Sequence, residues 1–261
     1  MLNINQPYHL VEKSPWALLR RFNVFNIVRG FIRIFCYHKY FLFFTGLVGT
    51  LIIAYQWWRD ISREGGLQGE HKKIVMEGLY LSMIFFIVSE IFFFFSFFWG
   101  YFHRSLTTNI DLGFIWPPIN LIRFNPYRIP LLNRLVLLSS GVTVTWVHHA
   151  VLEGKINNIV YGFFFTLGLG AYFTFLQILE YEERFFCLRD RVYGSIFFLA
   201  TGFHGLHVIV GRLYLAISFA RGCKGRFTAD HHLGIELSIW YWHFVDVVWL
   251  FLYVFVYWWW S

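Results

Sequence analysis

Four polar residues share a register near the end of an otherwise apolar chain. His232, Glu236, His243 and Asp246 fall within a stripe roughly 80° wide when each residue advances by about 100°, as in an α-helix. Trp, Tyr, Phe, Val and Leu fill most of the remaining positions. His243 and Asp246 are three apart, so they are placed to pair along the helix. Such a stripe suits interhelical hydrogen bonding or a path for protons, and in either case it should face protein rather than lipid. A second group lies in TGFHGLHVIVG, Thr201 to Gly211. His204 and His207 share a face there, and neutral imidazoles can ligate haem or metal. No His-Glu-x-x-His, no repeated Glu-x-x-His pair and no thiolate ligand accompanies them, so no metal centre is assigned. Gly202, Gly205 and Gly211 allow a neighbouring helix to approach closely.

The third group is one residue. Leu79 to Phe102, LYLSMIFFIVSEIFFFFSFFWGYF, carries a single formal charge, Glu90, near its middle. A helix of this length covers about 36 Å, enough for a hydrocarbon core of about 30 Å. An ionised carboxylate facing lipid at that depth costs several kcal/mol. Glu90 must therefore be protonated, paired or turned toward protein. Its role is either proton handling and lipid organisation or an interhelical hydrogen bond that fixes packing.

The elements that position these residues follow from composition. The 261 residues are 57% hydrophobic and 23% aromatic, with only 14% charged. Soluble domains carry about 25% charged residues, so this is an all-α, polytopic membrane protein forming one integral membrane domain over 1–261. The net charge of +7 comes mostly from residues between apolar runs, which suits anionic headgroups rather than nucleic acid. Seven spans are expected, at approximately 16–34, 40–58, 74–102, 130–152, 156–181, 192–220 and 232–260. The first is the weakest because it carries Arg20, Arg21, Arg29 and Arg33. It either crosses with those side chains reaching both faces or lies in the interface, and crossing is preferred. Ser14-Pro15 marks its start. Trp116-Pro117-Pro118 and Asn125-Pro126 interrupt helix and mark a long surface connection. Lys and Arg lean slightly toward the N-terminal side, which favours the cytoplasmic or matrix face for the N-terminus. The start of the chain shows neither a signal-peptide nor a transit pattern, so insertion through its own helices is expected. Cys36, Cys187 and Cys223 are far apart and suggest neither a disulfide framework nor a metal site. Walker, Gly-x-Ser-x-Gly and dinucleotide motifs are absent. An autonomous transporter or proton channel and a haem-binding membrane cytochrome are the competing readings.

Read together, YHLVEKSPW, YQWWRDISRE, SEIFFFFSFFW, WPP, SSGVTVTWVHH, YGSIFFLATGFHGLHVIVG and HHLGIELSIWYWHFVDVVWLFLYV resemble cytochrome c oxidase subunit III, over nearly the whole chain and in the expected order. The length and Trp-rich end look like the mitochondrially encoded form. The resemblance implies seven transmembrane helices, two separated from five by a lipid-filled V-shaped cleft. It implies a subunit of complex IV, the oxidase that reduces oxygen with electrons from cytochrome c and pumps protons. This chain would carry no redox centre and no metal, with haem a, haem a3 and copper in partner subunits. It would support subunit I, its stability and its proton uptake. Glu90 matches the family's intramembrane glutamate. Trp58, Arg59, Arg63 and His71 match its lipid-headgroup region, and Arg221 falls in the corresponding basic loop. The implied partners are subunit I, other complex IV subunits and phospholipids such as phosphatidylglycerol, phosphatidylethanolamine or cardiolipin. The implied location is the mitochondrial inner membrane, with the N-terminus on the matrix side. Ala17 stands where the family often has proline, and Arg212 where it usually has a small polar residue.

Overall fold

The computed structural model describes residues 6–107, 116, 124–223 and 232–259. Among them are seven α-helices and no strand: α1 Trp16–Tyr37, α2 Phe41–Gly66, α3 Lys73–Leu106, α4 Ile129–Leu152, α5 Ile156–Glu182, α6 Arg191–Cys223 and α7 Leu233–Leu252. A π-helical extension, Tyr253–Trp258, continues α7. Several helices run past the apolar stretches that announce them, because polar turns such as His103–Leu106 continue the backbone ladder beyond hydrocarbon depth. Pro117 and Pro118, and the basic stretch from Lys224 to His231, lie outside the described residues.

The chain forms two compact units, 1–80 and 81–261, with the boundary in the first turns of α3. In the first unit α1 and α2 make an antiparallel hairpin. His38 ends α1 in the left-handed conformation (φ 52°), and its N–H bonds back to the last carbonyls. Glycines set the spacing of the two helices. A Cβ on Gly30 would collide with the backbone of Phe43, and one on Gly46 would lie 2.8 Å from the Ile27 nitrogen. At the open end the Trp16 indole donates to Asp60 Oδ2 at 2.7 Å, and Arg20 lies over the Trp57 ring. Among the described residues six helices, α2 to α7, are long and apolar enough to cross a membrane. The Arg-rich α1 falls outside that group.

The second unit is built around α7. Of its best apolar window 61% is buried, against 11% for α3. Trp242 is fully buried and wedges between α5 and α6, where only glycine leaves room. A Cβ on Gly170 would lie 2.9 Å from the indole, and one on Gly211 would lie 3.0 Å from it. The indole N–H donates to Ser140 Oγ of α4 at 3.0 Å, and the Ser140 hydroxyl donates to the Leu137 carbonyl. Tyr181 donates to Thr201 at 2.6 Å and Tyr257 to Glu180 at 2.6 Å, tying α5 to α6 and to the π-helical extension. Helix α3 reaches α6 and α7 through large rings, with Phe93 and Phe97 against Phe203 and Phe98 against Phe251. Its remaining faces leave Phe85, Phe92 and Phe95 exposed, as a lipid-facing helix requires.

Gly170→Val should destabilise the second unit by about 1–3 kcal/mol, the usual cost of overpacking a tight contact. Gly30→Val should do the same to the hairpin. Gly205→Ala should be silent, because nothing lies within 4 Å of its added Cβ. Thermal midpoints of the detergent-extracted protein check all three.

Candidate functional site

Glu90 on α3 meets His207 on α6, with Oε2 2.9 Å from Nε2. The other ring nitrogen, Nδ1, lies 2.7 Å from the Phe203 carbonyl one turn back. A carbonyl can only accept, so Nδ1 carries a proton. The Nε2–Oε2 contact then holds one shared proton. On oxygen it leaves a neutral acid beside a neutral ring; on nitrogen it leaves a carboxylate beside an imidazolium. The pair has no net charge in either form, which meets the constraint of a low-dielectric surround. Aromatic rings enclose the histidine, with Phe94 at 5.1 Å and Tyr241 and Phe244 at 6.3 Å between centroids.

Along α7, Glu236 and His243 meet side chains of α4, His232 bonds to Glu236 within α7, and Asp246 packs against Gly141 of α4. Glu236 Oε1 lies 3.1 Å from His232 Nε2 and 3.6 Å from His148 Nε2. One or two turns further in, Thr145 commits its proton to the Gly141 carbonyl, so His243 Nε2–H donates to the Thr145 oxygen at 3.3 Å. His243 Nδ1 lies 3.9 Å from Asp246 Oδ2, too far for a hydrogen bond. Asp246 is 6% exposed and fits only because residue 141 is glycine, whose Cβ would lie 2.5 Å from its Oδ2. The side chains of His232, Glu236 and Asp246 are largely buried, whereas that of His243 is 42% exposed.

His204 and His207 do not act together, contrary to the shared face read from their spacing. Three residues separate them by about 60° around the axis, and α3 and α7 split that difference. His207 turns to Glu90. His204 is 1% exposed, donates from Nε2 to the Val245 carbonyl at 3.2 Å and packs on Phe173 and Trp249. Of the glycines in the same run, Gly211 makes the close approach, whereas Gly205 faces open space.

The headgroup-level residues are partly committed to one another. Arg59 pairs with Asp60 at 2.9 Å. Arg63, in the last turn of α2, and Trp58 are exposed. His71 covers Gly65 and meets His9 edge-on at 5.7 Å between centroids. Arg221 belongs to the other unit, in the last turn of α6 rather than in a loop. The sequence does not single out Thr145 and Ser140 of α4 or the Glu180–Tyr257 pair. None of these follows from spacing on its own helix, because each is defined by a partner far away in sequence. Between α3 and α7 runs an apolar groove of about 630 Å³, lined by residues that include Ile87, Phe95, Phe98, Trp99, Val247 and Phe251.

The arrangement is a membrane bundle in which polar pairs such as Glu90–His207, Ser140–Trp242 and Thr145–His243 link one helix to another. A family model described as Cytochrome c oxidase subunit III matches residues 6–261. The chain is 54% identical over 255 residues to cytochrome c oxidase subunit 3 of Anopheles gambiae, covering 98% of this chain and 97% of that one. It is 51% identical to the Drosophila melanogaster protein of the same name, with the same coverage. It is 50% identical over 259 residues to the Mus musculus protein, covering 99% of both. With about half of its residues shared with insect and mammalian relatives along nearly their full length, the chain belongs to the cytochrome c oxidase subunit III family, a membrane subunit of the respiratory oxidase.

Proposed function

We propose that this chain is the non-redox support of the oxidase. It seats against subunit I in the mitochondrial inner membrane, with its N-terminus on the matrix side and α1 crossing beside α2. In this reading 1–261 acts as one integral membrane domain that binds phospholipid. Trp58, Arg59, Arg63, His71 and Arg221 meet the headgroups, since guanidinium and indole at one membrane level suit a phosphate and an acyl shoulder. Haem a, haem a3 and copper belong to the partner subunits. Glu90 and His207 hold α3 in place beside the lipid and help sustain proton uptake by subunit I.

The observation that carries this reading is the neutral Glu90–His207 link. The intramembrane acid and the histidine best placed for a cofactor are spent on each other, so they serve helix seating rather than an independent chemistry. The groove between α3 and α7 is lined almost wholly by apolar side chains and suits an acyl chain or a partner helix.

Glu90→Gln should keep the link, because its amide can donate to His207 Nε2. Glu90→Ala should leave the ring unanswered, at a cost of about 1–3 kcal/mol. Haem and copper content should stay near wild type in both, while lipid retention and sustained turnover fall in the alanine variant only. Loss of the haems with Glu90→Ala would overturn the support role. Mild-detergent native separation tests the wider reading. The chain should travel with haem a absorbance and lose it when stripped from its partners. Migration alone and without pigment would refute it.

A further inference from the structure

We propose that His148, His232 and Glu236 form a binding site for a zinc-class divalent ion, joining the end of α4 to the start of α7. One donor atom from each lies within 4.8 Å of the other two. Two of the three separations are 3.1 and 3.6 Å. Four ligands at about 2.0–2.1 Å around a tetrahedral ion stand roughly 3.3–3.4 Å apart, so two edges of a coordination shell are nearly formed. The third separation is within 4.8 Å.

The donor chemistry selects the ion. Two imidazoles and one carboxylate suit zinc, whereas calcium and magnesium favour oxygen donors. Three protein ligands leave a fourth position for water, as in open zinc sites. His232 caps α7 and Glu236 lies in its first turn, so their i,i+4 spacing places both on one face. Their side chains are 10% and 17% exposed, while that of His148 is 32% exposed and gives the ion a way in. The site is separate from the Glu90–His207 link and does not depend on the role proposed for it.

The test uses the intact oxidase carrying this chain. It is loaded with zinc sulfate, desalted, and assayed for zinc per haem a. Wild type should hold one more equivalent than Glu236→Gln. His149→Ala, which alters the exposed neighbour of His148, should match wild type. The Glu236→Gln variant should bind the ion at least about tenfold more weakly. If its haem content shows that it fails to assemble, wild type alone decides. Zinc should then protect His148 and His232 from diethylpyrocarbonate, mapped by mass spectrometry, while exposed His38 labels with or without the ion. Equal zinc in wild type and an assembled Glu236→Gln variant, or labelling of His148 unchanged by zinc, would overturn the site.

Discussion

The second unit depends on the seating of one indole. Trp242 fills a slot that exists because residues 170 and 211 lack side chains, and its single polar atom finds Ser140. Three helices meet at that ring, so the contact fixes the rotation of α7 about its own axis. That rotation presents His232, Glu236, His243 and Asp246 to α4. It also turns Val245 toward His204 and Tyr241 toward His207. In hydrocarbon the hydrophobic effect does not drive helix association; close packing and interhelical hydrogen bonds do. A large ring held by small residues and one hydrogen bond combines both.

Helix α3 is joined by a different logic. Its contacts to α6 and α7 are ring edges and faces, which hold the backbones apart and leave an apolar groove at its side. Ring packing of this kind tolerates sliding. The Glu90–His207 bond supplies a position along the axis that the phenylalanines do not. It does so without net charge, because the Phe203 carbonyl claims the other ring proton.

The hairpin of α1 and α2 solves the problem of an Arg-rich helix locally. Glycines bring the two backbones together, and Asp60 collects Trp16 and Arg59 at one end. Arg20 rests on Trp57. Charge at this level is thus partly neutralised within the hairpin, while Arg20, Arg21 and Arg63 stay exposed.

Composition alone determined that the chain is a helical membrane protein, because so much aromatic and aliphatic surface has no soluble disposition. Periodicity alone determined the stripe on α7 and the demand that it face protein, since that geometry belongs to one helix. Family resemblance was legible for the same reason: motifs such as TGFHGLHV and WYWHFVDVVWLFLY are local strings. What answers each polar residue was decided only by the tertiary structure. His207 meets an acid 117 positions earlier, and His243 a threonine 98 positions earlier. The spacing of His204 and His207 suggested a pair, yet the angle between them lets two different neighbours claim them. A helix specifies the directions in which its side chains point; only packing decides what stands there.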